Sequence, residues 1–167
     1  MSRPVRNGLI VAILHVAIVA SLGAKLIADR MMRPRVWARV APIDPDLPIR
    51  GRYVRLQLEV QPADGLTLTR DSSYVPIDLA VRNDALVAIP ATDTGGLSVR
   101  SALRQGEQVV ALTEPVAYFI PEHVPDPSRR PPGEELWVEV TVPRRGTPRP
   151  IRLGVKKDGT LTPLDLR

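Results

Sequence analysis

The side chains in this sequence that could carry chemistry are few, and their spacing narrows what they can do. There are 2 histidines and no cysteine. Disulfide frameworks, thiolate metal sites and cysteine nucleophiles are therefore excluded, and the redox compartment is left open. A metal centre needs three or four clustered ligands. His15 sits inside an apolar run, which leaves His123 with Glu122 and Asp126 in a proline-rich loop, too thin a set to predict a bound metal. A Ser-His-acid triad would also have to use His123, and no serine stands on a nucleophile-elbow pattern. A Ser-Lys dyad would draw on Lys156 or Lys157, both beside an exposed turn, whereas a catalytic lysine has to be desolvated to act as a base. Asp44 and Asp46 form a close acidic pair. Paired carboxylates do acid–base work where their environments differ, but Asp-Pro-Asp in a loop is more commonly turn chemistry. No catalytic residue, cofactor or metal is predicted.

Aromatic and arginine side chains are the better candidates. Tyr118-Phe119-Ile120-Pro121 concentrates aromatic surface beside a proline-rich loop, and Tyr53 with Arg50 and Arg52 supplies a ring and cations on or beside a strand. Interface hot spots are made of such residues. Tyr53 and Tyr118 would equally serve to cap the ends of a small barrel, and both readings stay open. His15 is a third candidate. An ionisable residue inside a membrane-length segment faces a partner or a polar cavity, unless one local hydrogen bond satisfies it. In the first case Ala12, Ala17, Ala20 and Gly23 would allow close approach of a partner helix.

The elements that must position these residues are legible from periodicity. In Ile49–Val60, Val54, Leu56, Leu58 and Val60 alternate with Tyr53, Arg55, Gln57 and Glu59, the period-two signature of a strand with one apolar and one wet face. The rest of the chain is arranged around this strand. Leu9–Leu22 is apolar apart from His15 and Ser21, and with Gly23–Ala28 it reaches the roughly 20 residues that cross a hydrocarbon core. The segment is apolar all round, unlike an amphipathic core helix. Small residues near Ala20 would also suit a cleaved signal peptide, but the length favours an uncleaved anchor. The helix is expected to stop before Pro34. Arg30, Arg33, Arg35 and Arg39 would then lie near lipid headgroups, with Trp37 near the interface.

From Val36 onward short strands alternate with turns. Strands are expected over 36–40, 66–69, 74–81, 85–89, 97–103, 108–112, 116–120, 136–142, 151–155 and 161–164. Pro76 predicts an edge strand or a bulge. Asn83-Asp84 marks a hairpin, and Asp158-Gly159 is a stronger cue for another. In 136–142 the residues Trp137, Glu139 and Thr141 are expected to face outward. Residues 121–133 form the longest segment without strand character.

Gly51, Tyr53 and Leu56 stand where the GDYXXLXY-domain proteins carry the glycine, first tyrosine and leucine of their name motif. The Asp-Pro-rich approach 41–48, the segment 117–122 and the closing hairpin 151–164 resemble that family too, so the likeness covers most of the chain. The motif's aspartate is Arg52 here, and its last tyrosine is Leu58. The resemblance implies a membrane-anchored extracytoplasmic domain and supplies no catalytic residues.

Composition agrees with a β domain. Among 167 residues there are 18 prolines and 11 glycines, and only 1 Phe, 2 Trp and 3 Tyr, so the core must be mainly aliphatic. The net charge of +5 comes from scattered arginines with few aromatics between them, which argues against a nucleic-acid surface. The expected fold is mainly β: a cytoplasmic tip and transmembrane helix over 1–34, then one mostly antiparallel barrel or sandwich over 35–167. The expected function is that of a single-pass accessory protein of the cytoplasmic (inner) membrane. Its extracytoplasmic, periplasmic domain would bind a polytopic membrane partner. Basic residues C-terminal to the apolar run outnumber those before it, which by the positive-inside rule favours the opposite orientation. The family resemblance and the size of the following domain weigh the other way. The alternative function is an anchored hydrolase or peptidase with a Ser-Lys or carboxylate site.

Overall fold

The computed structural model describes residues 3–43, 53–66, 68, 74–91, 96–104, 107–127 and 129–166. Asp44, Asp46, Arg50, Gly51 and Arg52 lie outside the described residues, as does most of 66–73. Leu66 and Leu68, which are described, are not in a strand. The chain divides into two units, Met1–Arg33 and Pro34–Arg167.

The first unit is one helix, α1 (Arg3–Met32). Within it Val5–Ala28, 24 residues, is long and apolar enough to cross a membrane, and none of it is buried by protein. At 1.5 Å per residue this stretch is about 36 Å long, against a hydrocarbon core of about 30 Å.

The described residues of the second unit lie in strands, turns and irregular loops. Among the described residues there are eleven strands: β1 (Arg35–Ile43), β2 (Tyr53–Leu58), β3 (Gln61–Pro62), β4 (Val75–Arg82), β5 (Ala85–Pro90), β6 (Leu97–Arg104), β7 (Glu107–Leu112), β8 (Val116–Phe119), β9 (Glu134–Thr141), β10 (Arg149–Lys157) and β11 (Thr160–Pro163). A six-stranded sheet has the order β11-β10-β9-β1-β2-β8, and a five-stranded sheet the order β3-β5-β4-β6-β7. All pairings are antiparallel except β3 with β5. β8 comes round beside β10, so the six-stranded sheet is nearly closed into a barrel.

Two residues join the sheets. Just past β2, Glu59 N donates to Arg39 O at 2.9 Å, and Val60 N donates to Val110 O at 2.9 Å. The strand therefore hands over from β1 to β7 within one residue step. Beneath it lies a single aliphatic cluster drawn from both sheets, including Val36, Val40, Leu56, Leu58, Ile77, Val99, Leu112, Val138, Val140 and Leu153. Burying a side chain of this size contributes about 1.5–3 kcal/mol relative to exposing it. The outer cycle of turns follows the residues. Asn83 and Asp84 (φ 49° and 56°) and Asp158 and Gly159 (φ 48° and 82°) are two-residue loops with both angles positive, the type I′ geometry that matches strand twist.

Several details depart from the sequence reading. Gln57, expected on the wet side of β2, is only 8% exposed, and its Nε2 donates to Leu112 O at 3.1 Å. Glu139 and Thr141 are buried as well. The cause is shared: β2 and β9 have both faces covered, so alternation separates two environments without making either one solvent. β4 is central rather than an edge. Its Pro76 is tolerated because pairing with β5 begins only at Ile77, so the strand is flanked there by β6 alone. The segment 121–133 has no strand, as expected, but Val124 and Pro127 are buried and fasten it to the domain.

Candidate interaction surface

β8 is an edge strand held by β2 through the register Tyr53↔Phe119, Val54↔Tyr118, Arg55↔Ala117 and Leu56↔Val116. Alternation along it sends Val116 into the core and Ala117 and Phe119 outward. Phe119 is 74% exposed, which is unusual for the chain's one phenylalanine in a domain with an aliphatic core. Its ring is 6.1 Å from that of Tyr53, tilted by 56°. This is the spacing of a favourable tilted pair, and it holds the Phe119 ring in place without covering it.

Tyr118 points the other way and packs half-buried against the core cluster, with Ile120 buried beyond it. Pro121 is half-buried, and its carbonyl accepts from Val124 N at 3.2 Å in the turn that follows. The structure thus splits the aromatic candidates. Tyr53 and Phe119 form a surface pair, whereas Tyr118 is largely a packing residue. His15 lies on the exposed α1, and its Nδ1 donates to Val11 O at 2.8 Å, one turn back. That is the local hydrogen bond expected of a satisfied histidine, and the other ring nitrogen stays available to a partner.

A second surface was not anticipated. On the outer face of the six-stranded sheet, Trp37 and Trp137 line a groove of about 540 Å³ facing the β4–β5 turn and β7, with Arg39, Asn83 and Gln108 among its walls. Arg152 lies over the Trp37 ring at 5.4 Å and Lys156 over Trp137 at 4.8 Å. Arg39 pairs with Glu135, Trp137 Nε1 donates to the same carboxylate at 3.2 Å, and Arg152 Nε donates to Glu139 at 2.6 Å. Arg39, Glu135, Glu139, Arg152 and Lys156 each have a ring or an opposite charge against them. Arg39, expected near headgroups, is part of this network. The signal in the sequence was the two tryptophans at outward positions of alternating strands.

Of the residues considered for catalysis, Asp44 and Asp46 lie outside the described residues. Lys156 is engaged with Trp137, and Lys157 Nζ lies 3.4 Å from Glu134. His123 is exposed on the turn after Pro121. Among the described residues no three His, Cys, Asp or Glu side chains are placed to hold a metal ion. No family model, curated protein or solved structure matches the chain.

Proposed function

We propose that the chain is a single-pass, non-catalytic accessory protein of the cytoplasmic membrane, with its β domain on the extracytoplasmic side, where it docks on a polytopic membrane partner. The observation that carries this reading is the exposed Phe119 ring, braced by Tyr53 on an edge strand of a domain that follows a membrane-length apolar helix. An exposed, oriented aromatic anchor loses little conformational freedom on binding. The likeness of Gly51, Tyr53 and Leu56 to the GDYXXLXY motif supports the same placement. The commitment of Lys156 and Lys157 to Trp137 and Glu134 favours a binding role over a Ser-Lys hydrolase.

Two experiments test it. Reporter fusions at the C-terminus should be active only for the reporter that requires an extracytoplasmic location; the reverse pattern overturns the orientation. A photo-crosslinking side chain at position 119 should capture a polytopic membrane protein, whereas one at the exposed Thr162 should not. Equal capture at both positions, or none at 119, removes the docking surface.

A further inference from the structure

Another part of the six-stranded sheet has a different chemistry. β1 begins at Arg35, β9 ends at Thr141 and β10 begins at Arg149, and the register Arg35↔Thr141↔Arg149 sets these three side by side. Adjacent strands are about 4.8 Å apart, so the two arginines flank Thr141 with roughly 10 Å between their backbones. The β9–β10 connection, Pro143–Pro148, adds Arg144 and Arg145, both exposed. Arg145 and Arg149 line a cleft of about 450 Å³ against Val116 and Ala117, with Pro143 and Pro148 in its wall and no acidic side chain. Among the described residues none of Arg35, Arg144, Arg145 and Arg149 has an ion-pair partner. Elsewhere on the same sheet every Arg or Lys side chain of β10 past Arg149 meets a ring or a carboxylate.

The fold fixes where this cluster lies along the chain. Val142 N donates to Pro34 O at 3.0 Å, which ties the arginine loop to the first residue of the β unit. α1 ends at Met32. We infer that the Arg35, Arg144, Arg145 and Arg149 cluster binds anionic phospholipid headgroups. The inference rests on the anchored reading above: if Val5–Ala28 crosses a bilayer, Pro34 follows six residues later along the chain, within reach of the headgroups, and the arginine loop is bonded to it. Charge complementarity then names the occupant. Four unpaired guanidinium groups meet a plane of phosphates, and each cation so placed strengthens association about fivefold. Arginine suits the task because its planar fork donates two hydrogen bonds to one phosphate. The Phe119 patch is not involved. Phe119 is not among the residues that line the cleft, although Ala117, two residues before it on β8, is.

The chain has no cysteine, so Thr147→Cys accepts a single environment-sensitive fluorophore on the loop. The labelled full-length chain would be reconstituted in nanodiscs of phosphatidylcholine alone, or with about a third phosphatidylglycerol. The expected result is a ratio of docked to undocked probe at least fivefold higher with phosphatidylglycerol, lost in Arg144→Ser/Arg145→Ser/Arg149→Ser and reversed by raising the salt. Removing the two charges at Arg82 and Arg100, both exposed and on the five-stranded sheet, should leave the ratio unchanged. Equal ratios in the two lipids overturn the inference and leave the anchor intact. A shift produced over neutral lipid by inorganic phosphate would overturn the lipid in favour of a soluble anion. Loss of the chain from neutral discs in a high-salt wash would overturn the anchor, and this inference with it.

Discussion

The two faces of the six-stranded sheet are held by different forces. On the inner face Val36, Ala38 and Val40 of β1 meet Leu136, Val138 and Val140 of β9 in a dry aliphatic layer. On the outer face the intervening residues, Trp37 and Arg39 of β1 with Glu135, Trp137 and Glu139 of β9, form ring–cation and ion pairs continued by Arg152 and Lys156 of β10. The inner face depends on volume, because a missing methylene leaves a void that nothing refills. The outer face depends on pairing, and its members are exposed enough to fall back on water. The same alternation therefore encodes two layers with unequal tolerance to change.

The sharpest way to break this contrast is to empty the inner layer. Leu56 is fully buried at the centre of β2. Leu56→Ala should lose about 2–5 kcal/mol, read from the denaturant midpoint of the full chain in detergent. A loss below about 1 kcal/mol would mean the inner layer is not close-packed. Gly154 comes next, since it lies against the Trp37 ring. A Cβ there would stand 2.8 Å from Trp37 Cζ3 and 3.1 Å from Thr162 O. Gly154→Ala should cost about 1–3 kcal/mol through overpacking. Combining it with Trp37→Ala should cost less than the two changes summed, because the ring that clashes is gone. Strict additivity would show that Trp37 does not rest on Gly154.

How much of this was readable beforehand follows from the same contrast. The apolar helix, the Asn83-Asp84 and Asp158-Gly159 hairpins and the inward set Val54, Leu56 and Leu58 are local patterns, and each is found where it was expected. What lies over the second face is not a local pattern. Gln57 and Glu139 read as solvent-facing because nothing in their neighbourhood announces β7 or Arg152. β1 pairs with β9, about a hundred residues away, and only that pairing carries the Arg144–Arg149 loop to Pro34. Of the aromatic candidates, Tyr53 and Phe119 lie together, and side-chain direction separates Phe119 from Tyr118.

A milder change probes the outer layer. The Glu139 carboxylate accepts from Arg152 Nε at 2.6 Å, and the Arg152 side chain is 51% exposed. Glu139→Gln keeps an acceptor in place and lets the guanidinium turn to water, so the expected loss is about 1 kcal/mol or less. The effect should shrink further in high salt. A loss comparable to that of Leu56→Ala would erase the distinction between the faces.

The smallest expected effect on stability belongs to Phe119, and that is what makes it informative. Its ring touches Tyr53 but is mostly in water, so Phe119→Ser gives up part of one aromatic pair, about 0.5–1 kcal/mol at most. Tyr118→Ser removes a ring packed against the core cluster and should cost more. If Phe119 is kept exposed for a partner, the order reverses when binding is measured: Phe119→Ser should weaken co-purification with the partner tenfold or more while the fold stays intact. Tyr118→Ser should weaken it only in proportion to the unfolded fraction. Should both variants bind in proportion to their stability, the exposed ring would be a surface accident of an edge strand, and docking would have to be sought on the tryptophan groove of the outer face.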